Sequence, residues 1–123
     1  MAKKDEKNSI IEICPIRNVV ARFGNKWALL LILLLDENGP IRFNQLGKLI
    51  PDISAKVLAG TLHILEADGL VSRTVFAEVP IRVEYALTPT GKSLVPIIHT
   101  LTDWALQHMP SILKHRKAAE KTQ

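Results

Sequence analysis

Few side chains in this sequence could do covalent chemistry. The one cysteine, Cys14, stands directly before Pro15 and close to Arg17. Pro15 suits the first turn of a helix, which puts Cys14 at the cap. Unpaired amides, the helix dipole and Arg17 would lower a thiol's pKa there, leaving it open to oxidation or alkylation. The plainer reading is a small buried hydrophobe. With a single cysteine, any disulfide must join two subunits or a small thiol. The four histidines, His63, His99, His108 and His115, show no metal-ligand spacing with a cysteine or a carboxylate cluster. No glycine-rich phosphate cradle and no adjacent nucleophile–base pair is written in the chain. A peroxidase-like reading lacks a base near Cys14. No metal, no cofactor and no enzymatic activity are expected.

Binding chemistry remains, and it rests on where the charges sit. The formal net charge is +4, yet residues 39–84 hold Arg42, Lys48, Lys56, Arg73 and Arg82 against Asp52, Glu66, Asp68, Glu78 and Glu84. The excess lies mainly at Lys114, Arg116, Lys117 and Lys121, so bulk charge supports only solubility or loose polyanion attraction. Placement says more. Residues 53–65 contain no acid, while Glu66 and Asp68 lie at the far end of that segment. A helix entering a DNA groove N-terminus first keeps its acids away from phosphate in this way.

The elements that must position these residues follow from pattern and punctuation. With 123 residues and 47% hydrophobic content, the chain suits one domain with its own core, residues 1–123. Residues 1–8 and 117–123 are expected as loose tails. No signal peptide is apparent, and the longest apolar run, residues 27–35, is about half the length a membrane span needs. The lone cysteine fits a reducing cytoplasm.

Helices are expected near 15–23, 26–36, 44–50, 54–68 and 89–108, with a hairpin near 70–87. Asn25 caps the second helix, which is apolar on nearly all sides at Trp27, Leu30, Leu31 and Leu34 and so needs cover all round. Asn38-Gly39-Pro40 breaks it, and residues 41–43 allow a short strand. Leu46, Leu49 and Ile50 turn inward, Pro51 stops that helix, and Ser54 caps the next. Val57, Leu58, Leu62 and Leu65 face or flank the core, and Gly69 ends the helix. Two β-branched runs around a Pro-bearing turn then form the hairpin. Helix, glycine, then hairpin with arginines at base and tip is the layout of a recognition helix followed by a wing. Thr88 and Pro89 restart helix. Leu94, Ile97, Ile98, Leu101, Trp104, Ala105 and His108 recur along it at helical spacing. Pro96 should bend this helix and Pro110 end it.

Several segments match one family in order and spacing: Cys14-Pro15-Ile16-Arg17, Gly24-Asn25-Lys26-Trp27, Arg42-Phe43-Asn44-Gln45-Leu46, Ile53-Ser54, Leu65-Glu66-Ala67-Asp68-Gly69-Leu70-Val71-Ser72-Arg73 and Val79-Pro80-Ile81-Arg82-Val83-Glu84-Tyr85. From about residue 14 to 104 the chain resembles the HxlR-type winged helix-turn-helix regulators. The resemblance implies a mainly α fold with a small β-hairpin wing, and N- and C-terminal dimerisation helices. It also implies a bacterial transcription factor that binds a two-fold symmetric operator as a homodimer. Some members sense electrophiles or oxidants through a cysteine at the place of Cys14.

The family commonly carries longer polar side chains early in the recognition helix; here the groove-facing series is Ala55, Lys56, Ala59, Gly60 and His63, behind the cap Ser54. Gly60 costs roughly 1 kcal/mol against alanine in a helix. It either lets DNA approach closely or relieves crowding against a neighbouring helix. Lys56, Arg73 and Arg82 are the expected phosphate or groove contacts, and Arg42 could hold the flanking backbone. For each, a solvated charge or an internal ion pair is the alternative, and for Arg73 the partner would be Glu84 or Glu66. The expected dimer surface joins Ile10 and Ile13 to Ile97, Leu101 and Trp104; alternatively the C-terminal stripe packs on its own core. Double-stranded DNA and a second copy of the chain are the expected partners, with no membrane and an unspecified effector. The competing reading is a winged-helix module that docks on proteins and does not bind DNA sequence-specifically.

Overall fold

The structure, a computed structural model, describes Ala21 and residues 25–121; Ile10, Ile13, Cys14 and, apart from Ala21, the helix expected over 15–23 lie outside the described residues. Helix α1 (Lys26–Asn38) starts where Asn25 Oδ1 accepts hydrogen bonds from the amides of Trp27 and Ala28, at 3.0 and 2.9 Å. Its buried row is Ala28, Leu31, Ile32 and Leu35, one face of a 3.6-residue period. Leu30, on the opposite side, is 38% exposed in the single chain, so the domain's own core covers one face of the helix. Gly39, at φ +67°, ends it and donates its amide to the Leu35 carbonyl.

Strand β1 (Ile41–Arg42) leads straight into α2 (Phe43–Leu49), where Gln45 Oε1 accepts from the Arg42 amide at 3.3 Å. Leu46 and Ile50 are buried, but Leu49 is 44% exposed. Its expected inward position was wrong: in a helix of two turns the Leu46–Ile50 row alone reaches the core. After the turn at Pro51, Ser54 Oγ accepts from the Val57 amide at 3.1 Å and opens α3 (Ala55–Ala67). Leu58, Leu62 and Leu65 are buried, while Val57 is 38% exposed and flanks the core. Burial is worth about 1.5–3 kcal/mol for each such leucine, more than a surface ion pair at ~0–1 kcal/mol. The core therefore fixes which face of α3 looks outward. At its end the Leu70 amide reaches the Leu65 carbonyl and the Gly69 amide the Glu66 carbonyl, with Gly69 at φ +77°. This is a Schellman closure with a buried leucine on either side of it.

Strands β2 (Val71–Phe76) and β3 (Arg82–Leu87) form the hairpin, and β1 pairs on the other edge of β3, giving an antiparallel sheet of order β1-β3-β2. The register runs from Val71 opposite Leu87 to Phe76 opposite Arg82. Only the base of the hairpin enters the core, so its far end stands free as a wing: Val79 and Ile81 are exposed.

Helix α4 (Pro89–Lys121) is pinned to this base. Thr88 Oγ1 donates to the Gly69 carbonyl at 2.6 Å and accepts from the Gly91 amide at 3.1 Å, and the Thr88 amide donates to the Leu70 carbonyl at 3.1 Å. A Cβ on Gly91 would overlap the Leu70 carbonyl oxygen, so the close seat of α4 depends on that glycine. Val95 and Ile98 enter the core. The helix does not end at Pro110, as expected, but runs through it and through Pro96 to Lys121. Residues 117–121, expected as tail, form its last turn. Both prolines are exposed, where a lost hydrogen bond is least disruptive. The residues after Pro110 include strong helix formers, Leu113, Lys114, Ala118, Ala119 and Glu120, and no glycine.

Candidate nucleic-acid interface

The helix-turn-helix is α2, the turn at Pro51, and α3. On the outer face of α3, Ala55, Lys56, Ala59, Gly60 and His63 are all exposed. Lys56 and His63, seven residues apart, lie within about 20° of each other and about 10 Å apart along the axis. Neither side chain takes part in a hydrogen bond or ion pair among the described residues. The hydroxyl of Thr61 is bound to the Val57 carbonyl at 2.8 Å, and Ser54 is occupied as the cap. Free polar atoms on this face therefore reduce to Lys56 and His63, with Glu66 at the far end. A Cβ at Gly60 would meet nothing within 4 Å. Relief of internal crowding therefore does not explain this glycine; it leaves an open notch between Lys56 and His63.

Around α3 stand the cations expected at DNA. Arg42 lies opposite Glu84 in the sheet but makes no ion pair with it; Glu84 pairs with Arg82. Arg73 is exposed opposite Tyr85 and pairs with neither Glu66 nor Glu84, so the structural role suggested for it is not seen. Arg82 differs. Its Nη1 donates to Glu84 at 2.6 Å, its Nη2 and Nε to Glu78 at 3.0 and 3.2 Å, and its guanidinium lies 3.8 Å over the Phe76 ring. The Glu78 carboxylate first, and Glu84 after it, hold the Arg82 pKa above its ordinary value. The internal ion pair, the alternative weighed for Arg82, is present in the chain without DNA: two carboxylates face the one cation. Glu78, Glu84 and Phe76 were overlooked. Arg82 and Glu84 share a face at the two-residue strand period, and that spacing was the available signal.

Along α4, Ile97, Leu101 and Trp104 share one face and stay more than half exposed, lining a shallow groove with Thr100. Trp104 is steadied by His108, whose ring stacks at 4.6 Å and whose Nδ1 lies 2.9 Å from the Trp104 carbonyl. The predicted stripe divides: Ile98 is buried in the core and Leu94 packs against it, while Ile97, Leu101 and Trp104 stay exposed. Among the described residues no three His, Cys, Asp or Glu side chains gather as a metal site. No described helix is long and apolar enough to cross a membrane.

The profile of the HxlR-like helix-turn-helix family matches residues 22–112. The chain belongs to that family. It is 38% identical over 121 residues to the HTH-type transcriptional regulator YdeP of Bacillus subtilis, covering 95% of this chain and 93% of YdeP. It is 37% identical over 111 residues to the HTH-type transcriptional regulator YtfH of Escherichia coli, covering 90% and 87%. Among solved structures, the transcriptional regulator YtfH from Salmonella typhimurium superposes with TM-score 0.75 at 34% identity, covering 88% of this chain and 96% of the other. The redox regulator HypR in its reduced form gives 0.74 at 33%, covering 81% and 98%. The HxlR-like chain is thus a winged helix-turn-helix, DNA-binding transcriptional regulator, and the protein-docking reading is not favoured.

Proposed function

We propose that this HxlR-like regulator binds a two-fold symmetric operator as a homodimer, with α3 of each subunit in a major groove. Lys56 and Arg42 neutralise phosphates, Arg73 supports them from the wing, and Ala55, Ala59, Gly60 and His63 line the groove behind Ser54. The observation that carries the dimer is the stripe Ile97, Leu101 and Trp104, 64%, 54% and 53% exposed on one helix face. A contiguous apolar face of this kind marks an interface, and two-fold pairing is the commonest way to cover it. Ile10 and Ile13 would join the stripe from the N-terminal side. The protein acts in the cytoplasm without cofactor or enzymatic step. Among its structural neighbours is a redox regulator solved in reduced and oxidised forms, which supports oxidant sensing through Cys14, the chain's one thiol.

Replacing Leu101 with glutamate tests the assembly. The variant should sediment as a monomer and lose tight operator binding, because each half-site alone offers few contacts. A wild type that is monomeric at micromolar concentration and still binds a palindromic site tightly would exclude the dimer.

A further inference from the structure

The wing carries an arginine that cannot reach DNA without leaving an acid. Three groups hold Arg82. Glu84 is 2.6 Å away with its side chain 21% exposed, and the Phe76 ring lies beneath the guanidinium at 3.8 Å. These two are the sheltered part of the cluster. Glu78 closes the outer side with two contacts, and its side chain is 51% exposed. Exposed pairs of this type are weak and exchange readily. Phosphate is a bidentate acceptor that competes for the same face of a guanidinium. As folded, however, the cluster has one more negative than positive charge, which repels a phosphate backbone.

We propose that Glu78 determines specificity by occupying Arg82, so that the wing adds nothing to binding of arbitrary DNA and engages only where α3 has already seated on its operator. This rests on the wing facing DNA, as in the reading above. On random duplex the sequence-independent phosphate term supplies nearly all affinity, so a wing arginine left free would strengthen every wrong site. Glu78 removes that contribution at the wrong sites. On the operator, contacts by α3 hold the wing against the backbone long enough for a phosphate to replace Glu78, while Glu84 and Phe76 keep the guanidinium in place.

The test uses the full chain with Glu78→Gln, which keeps an acceptor of the same reach but removes the charge. Binding to random duplex and to the selected operator is measured at about 50 and 200 mM salt. Glu78→Gln should bind random duplex severalfold more tightly at the lower salt. Its salt slope should steepen by nearly one unit, so the gain shrinks by roughly threefold at the higher salt. The operator-to-random ratio should fall. Adding Arg82→Ala to Glu78→Gln should abolish the gain, because Glu78 acts through Arg82. A gain that persists in the double variant means that Glu78 repels phosphate by itself, and overturns the proposal. So does a Glu78→Gln protein with wild-type affinity for random duplex. Thermal unfolding of each variant confirms that the hairpin is intact. A wild type that shows no operator preference overturns the DNA-binding reading as well, and so separates the two failures.

Discussion

Lys56 stands in the first turn of α3, with helix amides beside it and no acid until Glu66. Both the side chain and the helix N-terminus favour phosphate there. Lys56→Ala should weaken binding to all DNA sequences and reduce the salt slope by nearly one unit, with thermal stability unchanged. Gly60 gives a sharper prediction. It sits on an exposed stretch of helix with open space where a Cβ would go, so Gly60→Ala should stabilise the fold by about 1 kcal/mol. If the notch serves close approach to DNA, the same variant should bind operator more weakly. Titration of unfolding and of operator binding on one preparation shows whether stability and affinity part. The residue types on this face were legible in the sequence because helical spacing and the Ser54 cap fix its rotation. The partners of Arg82 were not all legible. Glu84 lies on its face at the two-residue strand spacing, but the Phe76 ring beneath it and Glu78 reaching back from the loop do not follow from charge along the chain.

Element ends with specific side-chain or backbone chemistry were readable. Asn25, Ser54, Gly69 and Thr88 stand where amides need a partner or where φ is positive, and helices begin or end there. Elements whose limits depend on packing were less so. Leu49 fits the inward period but faces out, and Pro110 lacks an amide yet does not stop α4. The pairing of β1 with β3 carried no signal in two residues. Gly91 also went unremarked, though the junction of α3, β2 and α4 turns on it. Replacing Gly91 with alanine sets a methyl against the Leu70 carbonyl and within 3.1 Å of Leu87 Cδ2. Overpacking of this kind costs about 1–3 kcal/mol. A urea midpoint lowered at unchanged slope would show it; a wild-type midpoint would mean that α4 can move away at no cost.

At the scale of the whole molecule, the charge is divided between a formally neutral helix-turn-helix and wing, residues 39–84, and a basic end of α4 at Lys114, Arg116, Lys117 and Lys121. In the proposed dimer, affinity for DNA comes from placement and from two copies acting together, because one neutral module offers few phosphate contacts. Two recognition helices related by a two-fold axis meet major grooves one helical turn apart, ~34 Å, or a multiple of it. Selection of genomic fragments bound by the purified wild-type protein tests this most directly. The expected outcome is enrichment of inverted half-sites with centres about one or two turns apart, bound by two subunits. Retention of fragments without a shared inverted motif, or of single half-sites bound by one subunit, would contradict it.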